Sequence, residues 1–242
     1  MAKSVTAIKK PAYGATNSAG LSRRSIAWLV PSGFVVLAIA FVSLALTVRT
    51  TPYFSFDLAI TRAVQSFNPP WFDWLMHTIS FTGFQPQVLV WIVLVMLALF
   101  VTGYRWESIT MLFASTGISG LGYAVKFLVD RPRPSSDLVN VTQLIENGRH
   151  SFPAGHVEVN VVVMGLLIYL ALTVFKLSWL RVVLIIFLGS QIALVGLTRI
   201  YEGEHWFTDV IGGYLFGSLC LILTIWLYEW GKARFFVKTK PS

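Results

Sequence analysis

Apolar residues gather into six long runs, roughly 26–48, 86–104, 108–129, 157–175, 182–197 and 206–230, with polar or mixed stretches between them. A helix needs about 20 such residues to cross a bilayer, and the first run, Ile26 to Val48, meets that length. A long polar segment precedes it and no small-x-small cleavage site follows, so the run predicts a membrane helix rather than a signal peptide. Residues 49–85 break this pattern with Pro52, the Asn68-Pro69-Pro70 step and the aromatics Tyr53, Phe54, Trp71, Phe72 and Trp74. Their spacing predicts two short amphipathic helices lying at the membrane surface. The expected fold class is therefore all-α: an integral membrane bundle of six transmembrane helices, with short interfacial helices between the first and second spans. Gly117, Gly120 and Gly122 in the third run are spaced to let another helix approach closely.

Composition supports the membrane assignment. Of 242 residues, 55% are hydrophobic and only 12% charged, outside the usual soluble mixture. The net charge of +8 raises nucleic acid as a partner, but its distribution argues otherwise. Short connections force neighbouring helices antiparallel, so alternate ends share a side. One side collects twelve basic residues, among them Lys3, Lys9, Lys10, Arg23, Arg24, Lys232, Arg234, Lys238 and Lys240, against Glu107 and Glu229. The other collects seven basic residues against eight acidic ones. By the positive-inside rule both termini are expected in the cytoplasm. The predicted organisation is a basic, disordered tail over 1–25, a membrane domain over 26–231, and a second basic tail over 232–242. Cys220 has no partner for a disulfide within the chain and reads as a small core- or lipid-facing residue.

The same topology places 130–156 and 198–206 together on the outer side, and three polar stretches converge there. The first runs from Lys126 through Asp130, Arg131 and Arg133 at the end of the third run. The second, Ser151-Phe152-Pro153-Ala154-Gly155-His156, is a turn opening a helix, where free backbone N–H groups and the helix dipole make an anion cradle. The third runs from Thr198 and Arg199 to His205 and Asp209. If helical, His205 and Asp209 share one face, so the carboxylate can hold one ring nitrogen and leave the other free to attack or to accept a proton. Two histidines, one placed by a carboxylate, with a lysine and several arginines and no metal-ligand spacing, are the parts that phosphoryl transfer through a phosphohistidine requires. Cations neutralise the phosphate oxygens, one histidine attacks phosphorus, and the other protonates the departing alkoxide.

These residues resemble the type 2 phosphatidic-acid phosphatase family. Its signature is Lys, six residues, Arg-Pro; then Pro-Ser-Gly-His; then Ser-Arg, five residues, His, three residues, Asp. Here Lys126 is followed after six residues by Arg133-Pro134, and Arg199 after five by His205 and then, after three, by Asp209. The resemblance covers about residues 26–230. It implies a metal-independent membrane phosphatase that needs no cofactor and acts on a lipid phosphate at the outer face. By motif position His205 is the nucleophile, Asp209 its orienting partner and His156 the general acid. Lys126, Arg133 and Arg199 hold the phosphate, Gly155 contributes a backbone N–H, and Arg131 assists.

Two positions depart from that signature: Thr198 stands for Ser and keeps a hydroxyl, whereas Ala154 stands for Ser and removes a donor to phosphate. Glu158, inside the fourth run, is an ionisable residue without an assigned part, and His150 reads as a solvated loop residue. The expected partners are a lipid phosphate and the bilayer, with no nucleic acid. Polyprenyl diphosphate, phosphatidylglycerol phosphate and phosphatidic acid are the substrate types considered, in a bacterial plasma membrane. A lipid phosphotransferase using the same intermediate is the alternative, as is a non-catalytic lipid-phosphate binder or transporter should Ala154 disable the site.

Overall fold

A computed structural model of the chain describes residues 23–83, 87–142, 149–174 and 176–235. Most of the two expected tails, 1–22 and 236–242, thus lies outside the described residues. The described residues fold into eight helices and no strand: α1 (Arg23–Thr50), α2 (Ser55–Ser66), α3 (Pro70–Gly83), α4 (Gln87–Val101), α5 (Arg105–Val129), α6 (Gly155–Thr173), α7 (Trp179–Tyr201) and α8 (Phe207–Phe235). Arg23–Gly33 belongs to a separate small unit with the preceding residues. All that follows concerns the unit that begins at Phe34.

Five helices, α1, α5, α6, α7 and α8, are long and apolar enough to cross a membrane. The run expected at 86–104 becomes α4, an apolar helix of 15 residues, about 22 Å long at 1.5 Å per residue. The mixed stretch 49–85 forms two helices, α2 and α3, and Trp71 and Trp74 of α3 stay exposed.

The most buried of the spanning helices is α6, which packs against α5, α7 and α8. Its fit against α8 depends on glycine. A Cβ at Gly213 would stand 2.8 Å from the Ala154 carbonyl oxygen, and one at Gly217 would stand 2.9 Å from Val161 Cβ. These two glycines, four apart, form a small-residue stripe that lets the helix backbones meet. Gly212 beside them seats the Phe152 ring, which stacks on Phe41 at 5.8 Å. The glycines of α5 behave otherwise than predicted. A Cβ on Gly117 or Gly120 would meet nothing within 4 Å among the described residues, and Gly122 makes room for the Glu158 side chain rather than for a helix backbone. An apolar cavity of about 300 Å³ opens between α5 and α8 alongside Gly117, toward the end of the bundle that carries Trp106 and Trp230.

Chain reversals then deliver the polar stretches to one place. Asp130 caps α5 in the left-handed conformation, φ 50°, with its N–H on the Lys126 carbonyl at 2.9 Å. Pro132 and Pro134 follow, and the backbone before each proline is kept extended. Gly203, φ +69°, turns the end of α7 toward α8 where a side chain would strike the Asn140 carbonyl. Thr142 N–H donates to the Glu202 carbonyl at 3.0 Å, so the loop after α5 and the loop after α7 are stitched together.

Candidate active site

His205 lies between α7 and α8, 1% exposed, two residues before α8 begins. The expected contact with Asp209 on one helix face is therefore made from a bend. His205 Nδ1 stands 3.8 Å from Asp209 Oδ2, with the Ser151 hydroxyl beside both. Ser151 Oγ donates to Asp209 Oδ2 at 2.5 Å and lies 3.4 Å from His205 Nδ1. The Trp206 N–H donates to the same Oδ2 at 2.9 Å. On the far side of the ring, Nε2 lies 3.4 Å from Arg133 Nη1. A guanidinium can only donate, so Nε2 must carry the lone pair and Nδ1 the proton. Burial, with Arg133 close by, pushes the His205 pKa down to about 3. The ring is thus neutral near pH 7, with Nε2 nucleophilic.

Cations surround that nitrogen. Lys126 Nζ donates to the carbonyls of Pro153 at 2.5 Å and His150 at 3.3 Å, which ties the end of α5 to the turn before α6. Arg133 donates to the Glu204 carbonyl at 2.9 Å. Its Nε is buried without a partner among the described residues, and burial pulls its pKa below the usual arginine value, opposed by Glu204. His156, in the first turn of α6, is within electrostatic reach of Arg199, His205, Lys126 and Arg133. Gly155 is close by: a Cβ there would stand 3.6 Å from Lys126 Cε. Seven of the eight residues expected at the site thus converge: Lys126, Arg133, Gly155, His156, Arg199, His205 and Asp209.

Arg131 is the exception. It is 1% exposed and turned behind the site, where it bonds Asp209 Oδ1 at 2.6 Å, Asp57 Oδ2 at 2.9 Å, Thr208 Oγ1 at 2.6 Å and the Pro52 carbonyl at 3.1 Å. With its N–H groups committed there, it positions Asp209 instead of facing an incoming anion. Asp57, fully buried on α2, completes this block by accepting from Thr208 N–H and Oγ1, both at 2.9 Å. Nothing in its sequence neighbourhood marks it beyond a carboxylate in the first turn of an amphipathic helix.

Arg199 is present at the site and clamped. Nη1 pairs with Glu204 Oε2 at 2.6 Å and Nη2 with Glu202 Oε2 at 2.7 Å, and the Ser80 hydroxyl closes on the same guanidinium. Glu204 Oε1 is buried without a partner among the described residues. Burial raises the pKa of Glu202, with Arg199 and Ser80 opposing.

Fold and site together define a multi-pass helical membrane protein with a buried His205–Asp209 pair and with Lys126, Arg133 and Arg199 gathered near it. A family model described as the PAP2 superfamily matches residues 106–233, and the chain belongs to that superfamily. It is similar to phosphatidylglycerophosphatase B of Bacillus subtilis (strain 168), 29% identical over 190 residues that cover 78% of this chain and 91% of that protein. The undecaprenyl-diphosphatase of Sulfolobus acidocaldarius is 31% identical over 147 residues, 60% of this chain and 66% of that one. The crystal structure of a transmembrane PAP2 type phosphatidylglycerolphosphate phosphatase from Bacillus subtilis matches with a TM-score of 0.70 at 28% identity, covering 84% of this chain and 98% of that chain.

Proposed function

We propose that this protein hydrolyses the phosphate or diphosphate of a membrane lipid through a phosphohistidine. The observation that carries the reading is His205: a neutral, buried imidazole whose Nε2 lone pair faces Arg133 while the Ser151 hydroxyl stands between the other nitrogen and Asp209. In the first step Nε2 attacks phosphorus, the bond from phosphorus to the lipid oxygen breaks, and His156 gives that oxygen a proton. In the second, His156 takes a proton from water as the water oxygen attacks phosphorus. The P–N bond breaks, and inorganic phosphate leaves. Lys126, Arg133 and Arg199, with the Gly155 N–H at the start of α6, neutralise the oxygens in both steps. No step calls for a metal.

The charge pattern supports both termini in the cytoplasm and the site on the outer face of what we take to be a bacterial plasma membrane. On this reading α4 is the sixth span, and α2 and α3 lie at the outer surface over the site. Phosphatidylglycerol phosphate, a polyprenyl diphosphate and phosphatidic acid are the substrates to test first, the first two being named in the relatives.

The test is phosphate release by the purified protein in detergent with EDTA, on that panel, for the wild type and His205→Ala. Release by the wild type and its loss in the variant is the expected result. Full activity of His205→Ala would sink the mechanism.

A further inference from the structure

Four cations lie in or behind the site, and two of them face carboxylates directly. Arg131 faces Asp57 and Asp209, Arg199 faces Glu202 and Glu204, and Arg133 rests on the Glu204 carbonyl. Lys126 has two neutral carbonyls. An ammonium in a largely desolvated place is costly without a counter-charge, and the available one is Glu158.

Glu158 is 2% exposed in the first turn of α6. Its Oε1 rests against Gly122 of α5, where any side chain would collide with it, and Gly122 is four residues before Lys126 on the same helix face. The point where a Cβ on Gly155 would sit is 3.8 Å from Lys126 Nζ and 3.9 Å from Glu158 Oε1, so the ammonium and the carboxylate flank the same point at the start of α6 without making a direct ion pair. Glu158 Oε2 is buried with no partner among the described residues. A space made by glycine, a buried carboxylate and an unsatisfied oxygen together are more than packing requires, and an intramembrane carboxylate of this kind is normally kept for a task.

We propose that Glu158 is a positioning residue of the phosphate site, the counter-charge that keeps the Lys126 ammonium charged and turned into the pocket. This rests on the phosphatase reading given above. The charged groups that act on Lys126 are Glu158 on α6, Arg133 on the loop after α5 and Asp209 on α8, and His156 and His205 also feel it. Glu158 itself is felt by Lys126 and by Cys220 on α8. Of these neighbours Glu158 is the anion nearest to Lys126 that no arginine has already claimed. Removing its charge leaves an ammonium that gives up its proton at lower pH, and a neutral amine holds phosphate poorly.

The experiment compares wild type, E158Q and E158D in two readouts, each across pH: kcat/KM on the best lipid substrate and the affinity for inorganic phosphate. In E158Q the alkaline limb of both profiles is expected about one pH unit lower, a tenfold loss at a fixed alkaline pH with much less loss at acidic pH. E158D keeps the charge and is expected to keep the limb, with KM raised and kcat little changed. E158Q combined with K126R is expected to show no such limb shift, because a guanidinium stays charged throughout. A profile of E158Q that superimposes on the wild type, or that is lowered equally at every pH, would overturn the proposal. So would a displaced limb in E158D, which also serves if E158Q fails to fold. Wild-type protein that binds phosphate but hydrolyses no lipid would count against the phosphatase reading alone, leaving the binding profiles to decide the part of Glu158.

Discussion

Arg131 and Asp209 are joined at 2.6 Å in the interior, and solvent reaches neither side chain. The same guanidinium holds Asp57 of α2 at 2.9 Å, so one arginine from the loop after α5 fastens α2 to the start of α8. Removing one member of a buried charge group strands the others and typically costs about 3–5 kcal/mol. Arg131→Met is therefore expected to lower the unfolding temperature in detergent far more than Arg133→Met does. Asp57→Asn should fall between them. Equal effects of the two arginine substitutions would contradict the assignment of Arg131 to structure and Arg133 to the phosphate.

Ser151 separates His205 from Asp209 as much as it connects them. Its hydroxyl donates to Asp209 while standing 3.4 Å from His205 Nδ1. A hydrogen bond to a charged group is worth roughly 1.5–3 kcal/mol, so Ser151→Ala should lower kcat by about tenfold to a hundredfold with KM little changed. A rise in KM alone would mean that Ser151 serves binding instead of the nucleophile.

Ala154 sits at the N-cap of α6 and supplies no side-chain cap. A serine there offers its oxygen to the first turn of the helix, worth about 1 kcal/mol, while its proton remains available to a phosphate oxygen. Ala154→Ser is expected to raise both the unfolding temperature and kcat/KM, the latter by about tenfold. The two effects can be read separately by calorimetry and by phosphate release.

Glu204 holds Arg199 at 2.6 Å, so on the proposed function it is expected to compete with phosphate for that guanidinium. Glu204→Gln weakens that hold without changing the shape of the loop. Product inhibition by inorganic phosphate should then become about tenfold stronger, the size of one lost charge-assisted contact. An unchanged inhibition constant would show that Glu204 stays on Arg199 when phosphate is bound.

The protonation of His205 predicts acid sensitivity. Its pKa in the folded protein, about 3, lies below its ordinary 6.5, so between these values the unfolded chain binds the extra proton. Stability from this group is complete above pH 6.5 and declines as pH falls toward 3. The unfolding temperature of the wild type should therefore fall more steeply than that of His205→Gln between about pH 6 and pH 4.

Much of this arrangement is legible in the sequence because apolar runs of spanning length announce their helices, and the spacing of Lys126, Arg133, Arg199, His205 and Asp209 announces the site. The misreadings have local causes. Arg131 and Arg133 look alike in a list of basic residues, and only their partners part them: Arg131 reaches Asp209, Asp57 and Thr208, whereas Arg133 reaches the Glu204 carbonyl and the His205 ring. The spacing of His205 and Asp209 suits a contact on one helix face if the segment is helical from His205 onward. But Asp209 accepts the Trp206 N–H, as an early carboxylate often does at a helix start, and α8 begins only at Phe207. Asp57 and Glu204 carry no mark in the sequence because their meaning comes from partners: Asp57 from Arg131 and Thr208, far away in sequence, and Glu204 from an arginine facing it across a loop turn.

The clamp on Arg199 bears on which ions of the surroundings gain entry. A bare guanidinium in a desolvated hollow would collect chloride or any other small anion at hand, and each would have to be expelled before a substrate could bind. Here two carboxylates already satisfy that guanidinium. A singly charged ion has little to gain by displacing a tethered glutamate. An anion with several oxygens and more than one negative charge can take Arg199 and Arg133 together, and so repay the displacement. On the proposed function, the loop from Glu202 to His205 would work as an admission threshold, holding the pocket closed to salt and open to phosphate.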